Sequence, residues 1–394
     1  MSNLRDRLRR IQEQKSSEPI HITISNEQKT ESGEQRTKNI EQLTKNKVHK
    51  KENINFDLSI LKFHGWNNCG YNVLKREVCV KSPFKPNKTL PCALSVLIPD
   101  LRTIEIPSLE SFIFFDLETT GLSSGSGTIA FLAAFGQNIS TTFRITQYLL
   151  LDFNGQIDFL ENVLSQFSNK KSVIVTYNGK SFDSQILKTM CIMNRIKPPE
   201  YFHADLLHPG RRLWKTIIQN CSQSSIETKI LALDRTGDIS GEFAPDIWFE
   251  FIKTGRIERL NQICDHNKAD ISGLASIFSA MIDIANTPIN KKYKYDIERL
   301  ALYWRKYSRG LSNNSENEII KKGDKLLKYA AENKYPKAVY IYGYDQMKKN
   351  NLNEALKYAD YGLEIYEKKS IWHEKLLRRK EKLIRKISHL NNNG

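Results

Sequence analysis

The chain has 394 residues, 40% of them hydrophobic and 26% charged, and its 60 Lys+Arg against 44 Asp+Glu give a net charge of +16. No apolar run reaches the roughly 18–20 residues that a bilayer-spanning helix needs. The basic start MSNLRDRLRRIQEQK has no apolar stretch behind it, so neither a membrane anchor nor a secretory leader is expected. Six cysteines (Cys69, Cys79, Cys92, Cys191, Cys221 and Cys264) form no CxxC pair and no zinc-ligand spacing, which reads as reduced thiols and a cytoplasmic address.

Residues 1–52 are rich in Gln, Glu, Lys, Ser, Thr and Asn and hold too little apolar surface to offset chain ordering, so they are expected to be a disordered basic tail. Within it, Leu4, Leu8 and Ile11 are spaced for one short amphipathic helix. Residues 53–108 carry two strand-like runs, GWNNCGYNVLKREVCV and CALSVLIPD, broken by Pro and Gly, and predict a small β-rich lead-in that packs on the next domain.

Residues 109–288 then alternate. SFIFFDLE, GTIAFLAAFG and TFRITQYLLLDF read as three successive strands and IDFLENVLSQF as a helix. KSVIVTYN is a strand, SFDSQILKTMCIMNRI a helix, YFHADLL a strand and PGRRLWKTII a helix, with helical patterning from about 223 to 285. Three strands in a row followed by βαβα define an α/β domain, a mixed sheet flanked by helices. Residues 291–390 keep a helical period with short Asn- or Lys-rich turns. There Gly343, Ala355 and Gly362 are small enough for antiparallel helices to approach closely, as in a tetratricopeptide hairpin, so an all-α tetratricopeptide-like domain is expected.

Charge is distributed unevenly over these segments. Residues 1–55 contribute +4, residues 56–290 contribute nothing and residues 291–394 contribute +12, together with 12 of the 16 tyrosines. Basic residues interleaved with Tyr can hold a single-stranded nucleic acid by stacking, or the tyrosines can pack between helices while the lysines solvate the outside.

The chemistry points to the neutral middle. Strand alternation sets Asp116 and Glu118 on one face at the end of SFIFF, and two adjacent carboxylates at a water-accessible strand end repel unless a hard cation such as Mg²⁺ or Mn²⁺ lies between them. Asp183, in NGKSFD, falls in the first turn of a helix that Ser181 is placed to cap. His266 and Asp270, in HNKAD, are one helical turn apart on one face. Asp205 ends a strand, and Arg211, Arg212 and Lys215 bracket Trp214 on the following helix. That group suits phosphate contact and base stacking, or equally an ion pair beside a core tryptophan. The Gly121–Gly127 stretch is followed by an apolar strand and not by the helix a dinucleotide fingerprint needs, and there is no phosphate-loop or GxSxG motif.

FFDLETTGL, NGKSFD and HNKAD together resemble the three motifs of the DEDD 3′–5′ exonuclease superfamily, which has the ribonuclease H-like fold. More narrowly, ETTGLSSGSGTIAFLAAFG, YNGKSFD, HADLLHPGRRLWK and the HNKAD helix are similar to YprB-type ribonuclease H-like proteins, which often carry tetratricopeptide-like helices behind the nuclease domain. The resemblance covers residues 58–285 well and the C-terminal hairpin loosely. It implies that Asp116, Glu118, Asp183 and Asp270 hold two divalent ions, Mg²⁺ or Mn²⁺, with His266 at the attacking water. It also implies that Thr119, Thr120 and Leu122 lie against the terminal nucleotide, and Asn178 joins Asp205, Arg211 and Arg212 as a candidate substrate contact.

One departure stands out. The superfamily's branches use Tyr-x3-Asp or His-x4-Asp in the third motif, whereas this chain has a histidine at the tyrosine spacing, so His266 can serve as general base or can orient the water. The implied activity is metal-dependent 3′–5′ hydrolysis of single-stranded RNA or DNA, with the C-terminal helices open to a protein partner. The alternative is a non-catalytic adaptor that binds RNA or protein through the same fold.

Overall fold

The computed structural model describes residues 64–392, with interruptions at 86–89, 103, 105–107, 122–126, 290–291 and 309–312; side chains of 313–315 and 391–392 are also outside it. The expectations for the tail 1–52, for residues 53–63 and for Leu122 therefore lie outside the described residues.

Seven strands form one mixed sheet: β1 (Trp66–Gly70), β2 (Val73–Lys81), β3 (Phe112–Thr119), β4 (Ala130–Ile139), β5 (Thr142–Leu150), β6 (Val173–Thr176) and β7 (Phe202–Asp205), in the order β1-β2-β5-β4-β3-β6-β7. The first five pair antiparallel, with a 30-residue segment between β2 and β3, and β3, β6 and β7 run parallel through helical crossovers. The strands read in the lead-in are thus the edge of this same sheet. Its second apolar run is a correction: CALSVLIPD forms helix α1 (Cys92–Leu97) and a 3-10 turn at Pro99–Leu101. A short apolar run with only one β-branched residue before Ile98 carries no period that separates a strand from a buried helix.

The crossovers are α2 (Gln156–Ser165) and α3 (Asp183–Met193); after β7 come α4 (Leu207–Trp214), α5 (Gln223–Lys229), α6 (Ala244–Thr254) and the long α7 (Glu258–Asn286). Even-numbered residues of β3, from Phe112 to Glu118, share a face, and Phe112 and Phe114 pack with Ile271, Leu274 and Phe278 of α7. Odd-numbered Ile113, Phe115 and Leu117 pack on the other face with Phe159 and Leu160 of α2 and Ile186 and Leu187 of α3. A fully buried β3 explains its continuous apolar run.

Five further helices follow: α8 (Ile297–Tyr307), α9 (Asn313–Glu332), α10 (Pro336–Lys348), α11 (Leu352–Ile365) and α12 (Ile371–Asn392). Consecutive helices pack closely where side chains are small. A Cβ on Gly343 would come within 3.0 Å of Tyr358 Cβ, and one on Gly362 within 2.5 Å of Leu376 Cδ1. The apolar core on the α7 face of the sheet continues without a break through Leu300 and Trp304 of α8, Leu326 of α9, Ala338 of α10 and Tyr358 of α11. Among the described residues no helix is long and apolar enough to cross a membrane.

Candidate active site

Asp116 is set by a row of side chains across the sheet. Arg76 on β2 pairs with Gln147 on β5, Gln147 with Ala134 on β4, and Ala134 with Asp116 on β3, so all four share one face. Ala134 leaves room for Asn267 of α7 to reach the sheet. Arg76 donates to Gln147 Oε1 at 2.7 Å, Gln147 Nε2 donates to Asn267 Oδ1 at 2.9 Å, and Asn267 Nδ2 donates to Asp116 Oδ2 at 2.8 Å. Gln147 and Asn267 are fully buried, so each must find such partners, and together they fix the carboxylate.

Asp183 opens α3 after a tight turn. Asn178 adopts a left-handed φ of 66° there, and the Asp205 carboxylate accepts from the amides of Asn178 (2.8 Å), Lys180 (3.0 Å) and Leu207 (3.0 Å). Phe182, not Ser181, is the residue before the helix, and no side chain caps it, because the turn is already held from outside by Asp205. Asp183 itself is buried.

The third contribution comes from α7. His266 Nε2 lies 3.3 Å from Asp270 Oδ2, and ligand atoms of Glu118, His266 and Asp270 lie within 4.8 Å of one another. The segment between α5 and α6 closes over them. Arg235 Nη2 reaches Asp270 Oδ1 at 2.6 Å and Glu227 Oε2 at 2.5 Å, Arg235 Nη1 reaches Asp238 Oδ2 at 2.8 Å, and Asp238 Oδ1 lies 2.9 Å from His266 Nδ1. Glu227 is fully buried in the space that a side chain at Gly273 would take, since a Cβ there would sit 1.8 Å from its Oε1. Asp116, Arg235, Asp238, Gly241, His266 and Asp270 are among the residues lining a cleft of about 580 Å³.

These acids hold their protons tightly. Burial first, then the charges of Asp183, Asp270 and Glu118, push Asp116 well above the usual carboxylate range, with the Asn267 hydrogen bond opposing. Burial, then Asp270 and Asp183, does the same to Glu118, and burial raises Asp183 to about 7. Among the described residues, Glu118, His266 and Asp270 form the group whose ligand atoms lie close enough together for one ion, and their oxygen and imidazole donors suit a divalent cation.

The remaining expected residues serve the frame. Thr119 Oγ1 donates to Gly121 O at 2.7 Å, and Thr120 Oγ1 accepts from the Ile129 amide at 3.0 Å, tying the end of β3 to the start of β4. Asn178 is exposed, whereas the Asp205 carboxylate is consumed by the turn. Arg212 donates to Leu97 O at 2.8 Å and lies over the Tyr303 ring, so its side chain is taken up by α1 and α8, contrary to the expectation of substrate contact. Arg211 is exposed and its carbonyl accepts from Arg299. Trp214 is fully buried and donates to Lys294 O, the core alternative of the two readings. Sequence reasoning missed Glu227, Arg235, Asp238 and Asn267.

The chain is similar to known proteins at three levels. Residues 113–282 match the sequence model of the RNase_H superfamily, and the mixed seven-stranded sheet with helices on both faces is ribonuclease H-like, followed by a helical C-terminal region. Over 174 residues the chain is 35% identical to the uncharacterized protein YprB of Bacillus subtilis (strain 168); the match covers 43% of this chain and 42% of YprB, about two fifths of each. Among solved structures, the zinc-ion-bound form of the E. coli ExoI–ssDNA complex is similar at a TM-score of 0.27 and 16% identity, over 45% of this chain and 41% of that one. The metal-free form of that complex gives 0.26 and 15%, over 46% and 42%.

Proposed function

We propose that this chain is a divalent-metal-dependent nuclease that removes nucleotides from the 3′ end of single-stranded nucleic acid. The observation that carries the reading is the approach of Glu118, His266 and Asp270, whose ligand atoms lie within 4.8 Å of one another, with Asp116, Glu118 and Asp183 pushed toward their protonated forms chiefly by burial. Strongly shifted acids gathered beside a cleft are a mark of functional sites, and a bound cation would offset their mutual repulsion. The superfamily match over residues 113–282 supports nuclease chemistry, and the resemblance of the three motifs to DEDD 3′–5′ exonucleases supports the direction.

Asp116, Glu118, Asp183 and Asp270 would hold two divalent ions, whose chemistry is to activate water and to stabilise the leaving 3′ oxygen. With Nδ1 of His266 engaged by Asp238, Nε2 is the nitrogen left on the Glu118–Asp270 side to exchange a proton with water. Arg235 lines the cleft with its guanidinium donating to Glu227, Asp238 and Asp270, which holds Asp270 and His266's partner Asp238 in place. Asn267 and the side chains behind it hold Asp116 against the repulsion of its neighbours.

The test is release of mononucleotides from a 5′-labelled single-stranded oligonucleotide with Mg²⁺ or Mn²⁺, on RNA and DNA in parallel and with the 3′ end free or blocked. Activity that needs a free 3′ end and vanishes with chelator and in Asp116→Ala is the expected result. Full activity in Asp116→Ala would sink the assignment.

A further inference from the structure

The helical region carries a feature that the cleft does not use. Along α10 and the first half of α12, cations and aromatic rings form one continuous series of contacts. Lys348 Nζ lies 4.8 Å from the Tyr344 ring centroid, Arg379 lies 5.3 Å from Tyr344 and 4.0 Å from Tyr340, the Tyr340 and Trp372 rings are 5.0 Å apart, and Lys375 Nζ lies 4.9 Å from Trp372. None of the three cations has a carboxylate at ion-pair distance among the described residues. Arg379 is the telling one: it is 8% exposed, and its one hydrogen bond to a described residue is donated to Tyr340 O at 2.7 Å. A buried guanidinium normally faces an anion, because ring faces and a single carbonyl replace little of its lost hydration.

The rings are also presented outward. Trp66, Trp214, Trp248 and Trp304 are fully buried, but Trp372 is 39% exposed, as is Tyr344. Exposed ring faces offer stacking surfaces, and cations between them sit where a chain of phosphates would need neutralising. The surrounding segment, residues 291–394, carries +12, which favours a polyanion over an apolar or basic partner.

We propose that this ladder of Lys348, Tyr344, Arg379, Tyr340, Trp372 and Lys375 is a second, non-catalytic binding site for single-stranded nucleic acid. The rings take bases and the exposed Lys348 and Lys375 take the backbone, while Arg379 holds Tyr340 and Tyr344 in line. The site goes beyond the nuclease reading and is tested apart from it, in the full chain carrying Asp116→Ala with chelator present, so that no turnover enters.

Fluorescently labelled single-stranded RNA and DNA oligonucleotides are titrated against that protein over a range of salt. Lys348→Glu with Lys375→Glu, both at the surface, should weaken binding at least tenfold and flatten the log–log salt dependence by about 1.4, roughly 0.7 for each phosphate that is no longer neutralised. Trp372→Ala should weaken it about 5-fold or more. Because Trp372 is the exposed tryptophan among five, oligonucleotide should quench intrinsic tryptophan emission, and Trp372→Phe should abolish the quenching while keeping the fold. Unchanged affinity and salt slope in the double charge reversal would overturn the proposal. So would displacement of the oligonucleotide by an equal concentration of a glutamate-rich peptide, which would assign the ladder to an acidic protein segment instead.

Discussion

The cleft and the helical region handle like charge in opposite ways. In the cleft, acids from three separate elements lie close together, Asp116 held by the Asn267 amide and Asp270 by Arg235, and burial drives Asp116, Glu118 and Asp183 toward neutrality. In the helical region a larger excess of one sign is spread over the outside, with Lys334 and Lys357 lying over tyrosine rings and Lys380 pairing with Asp360 at 2.7 Å. Charge held inside resists salt and demands a specific cation, whereas charge spread outside is screened within about 10 Å at moderate ionic strength. The difference underlies the two proposals, chemistry in the cleft and polyanion binding on the helices.

That contrast can be broken at several points. The largest effect should be on turnover, where Asp183→Asn lowers the rate about a thousandfold or more, as the loss of one ligand from a two-metal site does, while oligonucleotide binding persists. If binding is lost as well, the two tasks are not divided between the regions. Next is Trp304→Ala, in the core that both regions share, with an expected cost of about 3–5 kcal/mol by denaturant titration. One cooperative transition is expected, since two would mean that the regions fold apart.

Arg235→Met should cost about 3 kcal/mol, because it leaves Glu227 buried without its partner. Proton linkage comes next. Asp183 is raised from 3.8 to about 7, chiefly by burial, so the folded chain keeps a proton that the unfolded chain has already released. Metal-free stability should therefore fall as pH rises from about 4 toward 7, and divalent metal should bind more tightly over the same window, both readable by thermal melts with and without Mn²⁺. The smallest effect belongs to the outside. Asp360→Asn should change stability by less than about 1 kcal/mol, and the change should fade with added salt.

The acids were legible because strand alternation and helix spacing are local. The period of β3 placed Asp116 beside Glu118, and the i, i+4 spacing placed His266 over Asp270. The frame around them was not legible for the same reason. Arg235 finds Glu227 eight residues back and Asp270 thirty-five ahead, and its own segment, DRTGDIS, reads as a polar turn without period. Asn267, between two recognised residues, carried no signal of its own, because its partners Asp116 on β3 and Gln147 on β5 are more than a hundred residues away in sequence. Arg212 misled because a basic residue next to an aromatic looks the same whether it faces a phosphate or Tyr303.

Arg76 has a practical consequence for anyone shortening the chain. The superfamily match begins at residue 113, well after this arginine, so a fragment cut to the matched residues would retain all four acids. It would also discard β1 and β2, uncover the outer edge of β5, and leave Gln147 to choose a new rotamer beside Asn267. The smallest piece that preserves the geometry of Asp116 has to start before Trp66, with an edge strand that contributes no acid to the cleft.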